Sequence, residues 1–263
     1  MSMISNVFAF DIETVPDVEF GRRLHGLEGL TDKQVGYVMQ TRQREQTGSE
    51  FLSLEQQRIV AISIAMRERG GFKVWSIGEP DSSEAELIRR FFDGIERLAP
   101  TLVSWNGAGF DLPVLHYRAM RHRIQAHRYW ELGEEDSSYK WNNYISRFHW
   151  RHTDLMDVLS GFQGRGRVGL DKMAQLLGFP GKLGMSGEHV WDAFLEGRVE
   201  DIRNYCETDV INTYLVYLRF ELMRGRLTHE EHDSEVELVR QVLRDAPRPH
   251  LQQYATEWAK CGG

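Results

Sequence analysis

The sequence predicts an α/β domain built around a five-stranded sheet flanked by helices. Three observations carry that expectation. Short apolar runs of strand length recur at 7–14, 59–65, 72–77 and 101–105, and a fifth run, 153–159, returns to the core. Gly70 and Gly71 stand between the second and third runs as a hairpin turn, which makes the first three an antiparallel ribbon. Amphipathic helical patterns separate and follow these runs, as a layered domain requires.

Composition bounds the function. At 263 residues the chain can bury a large core, and 41% hydrophobic with 27% charged residues is ordinary for a soluble globular protein. No apolar stretch approaches the ~20 residues of a membrane-spanning helix. The start lacks the basic-then-apolar pattern of a signal peptide. Only Cys206 and Cys261 are present, so there is no disulfide framework and no cysteine-rich zinc site, and a reducing cytoplasm is the expected location. A formal net charge of −7 argues against broad wrapping of nucleic acid, but not against local binding of one strand end.

In the first run, bulky residues lead to Asp11 and Glu13, two positions apart and so on one side of a strand. Two carboxylates held together repel unless a cation or a shared proton compensates them. The plainer alternative is a strand end entering a polar turn at Pro16 and Asp17. Residues 17–50 read as a helical insertion, with helices over 18–24 and 33–44. The helix over 83–98 is capped by Ser82 or Ser83 and buries Leu87, Ile88, Phe91, Phe92, Ile95 and Leu98. The strand at 101–105 leads into Asn106-Gly107-Ala108-Gly109-Phe110-Asp111, whose small residues permit a tight turn. Asp111 caps or begins the helix that follows, which ends at Arg121.

Residues 122–151 form a second insertion mixing His, Arg and aromatics, among them Arg128, Trp130, Trp141, Arg147 and Phe148. A stacking surface for single-stranded nucleic acid and a β-ribbon packed on the core both fit that composition. The glycine-rich stretch 161–169 lacks the Gly-Lys-Ser/Thr ending of a phosphate-binding loop. A short helix over 170–177, a glycine loop at 181–187 and a short helix over 189–195 precede the longest helix, 199–223. Lys182 and Ser186 in that loop offer a place for a phosphate. Helices over 230–243 and 250–260 read as an extension, which divides the chain into a domain over 1–224 and an appendage over 225–263.

Tyr205 and Asp209 lie four residues apart on the longest helix and share a face. Singly, Tyr205 fits an amphipathic core position and Asp209 a solvated one. Other residues fit structural roles. Asp154 and Asp157 suit helix caps; His116, His122 and His189 lack paired metal spacing; and Cys206 suits a small buried filler that points elsewhere on its helix.

Taken in order, a strand-borne Asp-x-Glu, an Asn-Gly-x-x-Phe-Asp turn and a late Tyr-x-x-x-Asp resemble the three motifs of the DEDDy 3′–5′ exonucleases. The phrases Phe-Asp-Ile-Glu-Thr, Trp-Asn-Gly-x-x-Phe-Asp-Leu-Pro and Tyr-Cys-x-x-Asp-Val-x-x-Thr are similar to the subgroup related to the proofreading domain of family B DNA polymerases. The resemblance covers roughly residues 5–220 and leaves out 17–50 and the tail beyond Gly225. It implies a ribonuclease H-like fold, with three antiparallel strands followed by two parallel to the first. The activity implied is 3′–5′ exonucleolytic hydrolysis of single-stranded DNA, releasing nucleoside 5′-monophosphates. Two Mg²⁺ or Mn²⁺ ions per site are implied, an arrangement suited to carboxylate ligands. Asp11 would bridge both ions, Glu13 and Asp209 would complete the site of the water-activating ion, and Asp111 would support the second. Tyr205 would orient the attacking water. Asn106, Phe110 and Lys182 are candidate substrate contacts, with loop bracing the favoured role of Asn106 and core packing that of Phe110. RNA trimming is the alternative within this class, and a noncatalytic nucleic-acid-binding or scaffold module is the alternative outside it. The expected partners are a single-stranded 3′ end and a protein docking on the insertion or the C-terminal extension, with no membrane.

Overall fold

Strand β1 (Val7–Pro16) is central because both of its faces are apolar. Phe8, Phe10 and Ile12 pack to one side, Val7 and Ala9 to the other. Such a strand needs a neighbour on each edge. Along one edge β2 (Gln57–Glu68) runs antiparallel, with Asp11 opposite Ser63. Along the other β4 (Thr101–Ser104) runs parallel but pairs only with Val7, Phe8 and Ala9. The strands β3 (Gly71–Ser76) and β5 (His152–Asp154) complete the order β3-β2-β1-β4-β5, with β4 and β5 parallel. This is the expected ribonuclease H-like mixed sheet. The computed structural model describes residues 6–261; residues 1–5 and 262–263, at the ends of the expected units 1–224 and 225–263, lie outside the described residues.

One face of the sheet is covered by α3 (Glu84–Leu98) and α4 (Asp111–Arg121), which bury Phe91 and Leu115 against Phe10. The opposite face carries α8 (Val199–Met223), whose bounds equal those expected from sequence. The helices α6 (Leu170–Leu176), α9 (His229–Asp245) and α10 (Pro249–Lys260) enclose α8, which explains why it lacks a solvated face. Among the described residues no helix is long and apolar enough to cross a membrane.

The insertion forms α1 (Val18–His25) and α2 (Asp32–Thr47), begun by Asp17 and by a Thr31–Gln34 capping box. They pack through Val35 and Met39, and α2 rests on Trp191 of α7 (Val190–Leu195).

Two regions differ from expectation. The fifth strand ends after three residues because the Asp154 carboxylate accepts the N–H groups of Met156 and Asp157 and starts α5 (Leu155–Leu159). Residues 122–151 form no ribbon but two short 3-10 turns, Arg128–Trp130 and Ser137–Tyr139. Side chains satisfy the backbone here in place of a strand ladder. Glu131 accepts N–H groups from Gly133, Glu134 and Glu135, and Asn143 Oδ1 accepts those of Ile145 and Ser146. The aromatics divide accordingly. Tyr129 and Tyr144 are buried and stacked 5.5 Å apart, while Trp141 and Phe148 are exposed.

The C-terminal helices belong to the same apolar cluster as β1, for Tyr254 and Trp258 are buried alongside Val7 and Tyr214. Truncating Trp258 to Ala is expected to destabilise the whole domain by ~3–5 kcal/mol. Chemical denaturation checks this: a single transition moved to lower denaturant supports one cooperative core. A separate early transition would support the expected division near residue 225.

Candidate active site

The site arises where β1 outruns β4. Pairing between them stops at Ala9 and Val103, so Asp11 and Glu13 stand on a length of β1 with one open edge. A bulge between Glu13 and Thr14 then bends the strand. The chain leaving β4 fills the gap with the 106–111 turn. Asn106 takes φ +67°, a left-handed conformation that Asn tolerates, and its carbonyl accepts the N–H groups of Gly109 and Phe110. Gly107 packs so tightly on Ser104 that a Cβ would collide with the Ser104 hydroxyl. The turn delivers Asp111 as the first residue of α4. The Ile12 N–H, beyond the reach of β4, donates to Asp111 Oδ1 at 3.1 Å.

From the other side α8 contributes Tyr205 and Asp209, both buried. Lys182 places Nζ 4.0 Å from Asp209 Oδ2 and 5.3 Å from the centre of the Tyr205 ring. Its loop is fastened to α8 by Asn212, which donates to the Gly181 carbonyl. One cleft of about 580 Å³ thus brings together Asp11, Glu13, Asp111, Tyr205, Asp209 and Lys182, bordered by Asn106 and Phe110.

Four carboxylates sharing a dry site strain one another. Burial first, then Asp111, Glu13 and Asp209, push Asp11 well above the usual carboxylate range. Burial and Asp209 do the same to Glu13 against the pull of Lys182. Asp111 is pushed up to about 7 by burial despite its bond from Ile12. Asp209 is pushed up to about 6 by burial, offset in part by Lys182 and the Tyr205 hydroxyl. Burial and the neighbouring carboxylates raise the Tyr205 phenol far above its ordinary value, so it keeps its proton.

Asp209 Oδ1 is buried without a hydrogen-bond partner. An orphan acceptor among repelling carboxylates is unfavourable unless a cation occupies the space between them. Carboxylate oxygens of Asp11 and Glu13 and the Cys206 sulfur lie within 4.8 Å of one another. The donor set is dominated by carboxylate oxygen and fits a hard divalent cation.

Several residues stand differently from expectation. Cys206 does not point elsewhere: α8 lies across β1, so the residue after Tyr205 faces the strand beneath, with Sγ 3.6 Å from Asp11 Oδ2. Phe110 is half-buried: it packs against the apolar cluster of Phe10 and Leu112, as expected, and its ring also meets that of Phe51 beside the cleft. The bracing at Asn106 comes from its backbone, while its side chain lines the cleft. His122 pairs with Glu84, His189 with Ser186, and Asp157 with Arg147 and Arg167. His116 is held down to about 4 by burial, as is His152, which is bonded to Ser104.

Asp154 does more than cap α5. Its carboxylate also accepts the N–H of Asn106 at 3.0 Å and of Ala108 at 2.9 Å, fastening the turn that presents Asp111. Nothing local to residue 154 announces this link. Asp154→Ala is expected to destabilise the protein by ~2–4 kcal/mol, because four N–H groups lose their acceptor. Thermal melting beside a Thr153→Ala control measures it, and an equal effect in both variants would remove the special role.

A family model described as a predicted 3′–5′ exonuclease related to the exonuclease domain of PolB matches residues 49–258. The match begins after β1 and runs through α9 into α10, so the helices beyond Gly225 fall within the family's extent, contrary to the narrower coverage expected from the motifs. No curated protein matches the chain. The match spans most of the sequence, and the chain belongs to the family of predicted 3′–5′ exonucleases related to the exonuclease domain of PolB.

Proposed function

We propose that this protein is a divalent-metal-dependent 3′–5′ exonuclease that shortens single-stranded DNA and releases nucleoside 5′-monophosphates. The observation that carries this reading is the meeting of half-buried Asp11 with buried Glu13, Asp111 and Asp209, with Asp209 Oδ1 left unbonded beside a protonated Tyr205. Asp11, Glu13 and Asp209, with Asp111 opposite, would hold two Mg²⁺ or Mn²⁺ ions. When bound, such ions supply charge stabilisation for the attacking and leaving oxygens of a phosphodiester.

The chain's own groups do the rest. The Tyr205 hydroxyl donates a hydrogen bond that orients the attacking water oxygen, a role its raised pKa permits and general-base chemistry would not. That oxygen bonds to phosphorus and gives up a proton to solvent, the bond from phosphorus to the upstream O3′ breaks, and O3′ takes up a proton from solvent. Lys182, near both Asp209 and Tyr205, offers a cation to the phosphate. Asn106 and Phe110 border the space for the terminal nucleotide. DNA is the preferred substrate on the relation to the PolB exonuclease domain.

The test is digestion of matched 5′-labelled DNA and RNA oligonucleotides with Mg²⁺ or Mn²⁺, with EDTA and Asp11→Asn as controls. A metal-dependent ladder receding from the 3′ end is the expected result, faster on DNA. Faster loss of RNA would reassign the substrate. No cleavage of either by folded, metal-supplied protein would favour a nucleic-acid-binding module.

A further inference from the structure

Trp105, Met156 and Gly169 border the carboxylate cleft, and from them the chain leads to a second surface, built by residues 140–168. Two links join the places. Asp157, the residue after Met156 on α5, holds Arg147 and Arg167 on its two oxygens. The Trp105 indole N–H donates to the Val168 carbonyl at 3.1 Å.

This surface is opposite in charge to the chain as a whole. Between 140 and 168 stand five lysines and arginines against two aspartates, in a protein of net charge −7. Both aspartates, Asp154 and Asp157, are buried, one accepting backbone N–H groups and the other the two arginines. The charges this segment shows to solvent are therefore cationic. Arg165 is exposed and, among the described residues, has no ion partner.

Aromatic rings interleave with these cations. Phe148 is 70% exposed, and its ring centre lies 5.1 Å from that of Phe162. The Arg147 guanidinium, held by Asp157 at 2.6 Å, lies 4.9 Å from the Phe162 ring centre and 5.9 Å from that of Phe148. Phe162 takes φ +60°, a left-handed conformation that strains a bulky residue, and yet its ring stays exposed. Burial does not explain a strained backbone that ends in a solvent-facing ring. Bases stack on aromatic faces and arginine planes without regard to sequence, and guanidinium groups bind phosphate. A protein partner would also cover the rings, but an excess of one sign of charge favours a polyanion.

We infer that the surface around Arg147, Phe148, Phe162 and Arg165 is a second nucleic-acid contact, which grips the single strand several nucleotides upstream of the cleft. The inference rests on the proposed exonuclease function for the direction of the strand. The 3′ end lies among the carboxylates, and the 5′ part passes Trp105 and Val168 to reach this surface. The contact holds DNA by stacking and charge, without metal ions, so it makes affinity depend on strand length while leaving the chemical step alone.

The test compares wild type, Phe148→Ala, Phe148→Trp and Arg165→Ala on a 4-mer and a 20-mer of single-stranded DNA. Fluorescence anisotropy in EDTA reads binding without turnover, and steady-state hydrolysis with Mg²⁺ reads KM and kcat. Wild type is expected to bind the 20-mer about tenfold or more tighter than the 4-mer. Phe148→Ala should weaken 20-mer binding and raise its KM about tenfold, the loss of one stacked base, with kcat and the 4-mer unchanged. Phe148→Trp should restore both values. Arg165→Ala should flatten the plot of log affinity against log salt by about 0.7, the share of one phosphate. Unchanged 20-mer binding and KM in Phe148→Ala, with wild type active, would overturn the inference, leave the face to a protein partner and keep the nuclease reading. Wild type that cleaves neither strand, yet loses 20-mer binding in Phe148→Ala, would remove the nuclease reading and uphold the contact.

Discussion

Asp111→Asn is expected to lower turnover by about 10²–10³ and yet to stabilise the metal-free protein. The loss follows from removing one carboxylate that stabilises charge in the transition state, worth several kcal/mol. The gain follows from burial: Asp111 titrates at about 7 in the folded chain against an ordinary value of 3.8, so the folded state holds this proton more tightly than the unfolded state does. Between those values the folded form binds more protons, and metal-free stability falls as pH rises through them. A difference of that size is worth on the order of 4 kcal/mol, of which Asn, still able to accept the Ile12 N–H, recovers part. The melting advantage of Asp111→Asn over wild type in EDTA should therefore be negligible near pH 4 and full above pH 7. Mg²⁺ should narrow it by stabilising wild type more. An advantage that does not grow with pH would mean that Asp111 is not held protonated by its surroundings.

Arg118→Met is expected to cost ~3–5 kcal/mol of stability, or roughly 10 °C in melting temperature. Arg118 is 4% exposed and donates to Asp17, which follows β1, and through Nε and Nη2 to Glu84 of α3. Glu84 in turn accepts the N–H of Ile59 on β2. Methionine fills the volume but takes the guanidinium from two buried carboxylates and leaves Glu84 only its His122 side-chain partner. Arg118→Lys should rescue little, since one ammonium cannot span both partners in the planar geometry of a guanidinium. Because α4 begins at Asp111, activity should fall along with stability. Recovery of most of the loss in Arg118→Lys would show that charge alone, without the fork, holds these elements together.

Much of the frame is legible in the sequence because the relevant forces are local. The apolar runs of β1 to β4, the Ser83 cap and the whole span of α8 follow from periodicity and end signals. Asp11 with Glu13, Asp111, and Tyr205 with Asp209 stand out through the order of their motifs, which resembles that of the DEDDy exonucleases, and not one by one. Their meeting in one cleft depends on β4 pairing with β1 over only three residues, a matter of register that no single segment encodes. The rest is hidden for similar reasons. Asp154 reaches a turn 48 residues earlier, the facing of Cys206 depends on how α8 crosses β1, and residues 122–151 take their shape from side-chain acceptors such as Glu131.

The bracing of α8 bears on how the protein is made. Glu207, two residues before Asp209 on the buried length of α8, is bonded to Arg248 and His250, and Tyr254 donates to Asn212, which holds the backbone beside Lys182. All three partners are translated after every residue of the cleft. A chain still on the ribosome, with β1 through α8 already emerged, has its full set of acidic side chains but an unclamped α8 and a loose Lys182 loop. The order of synthesis thus leaves the length of α8 that carries Asp209 unbraced until α10 folds into place.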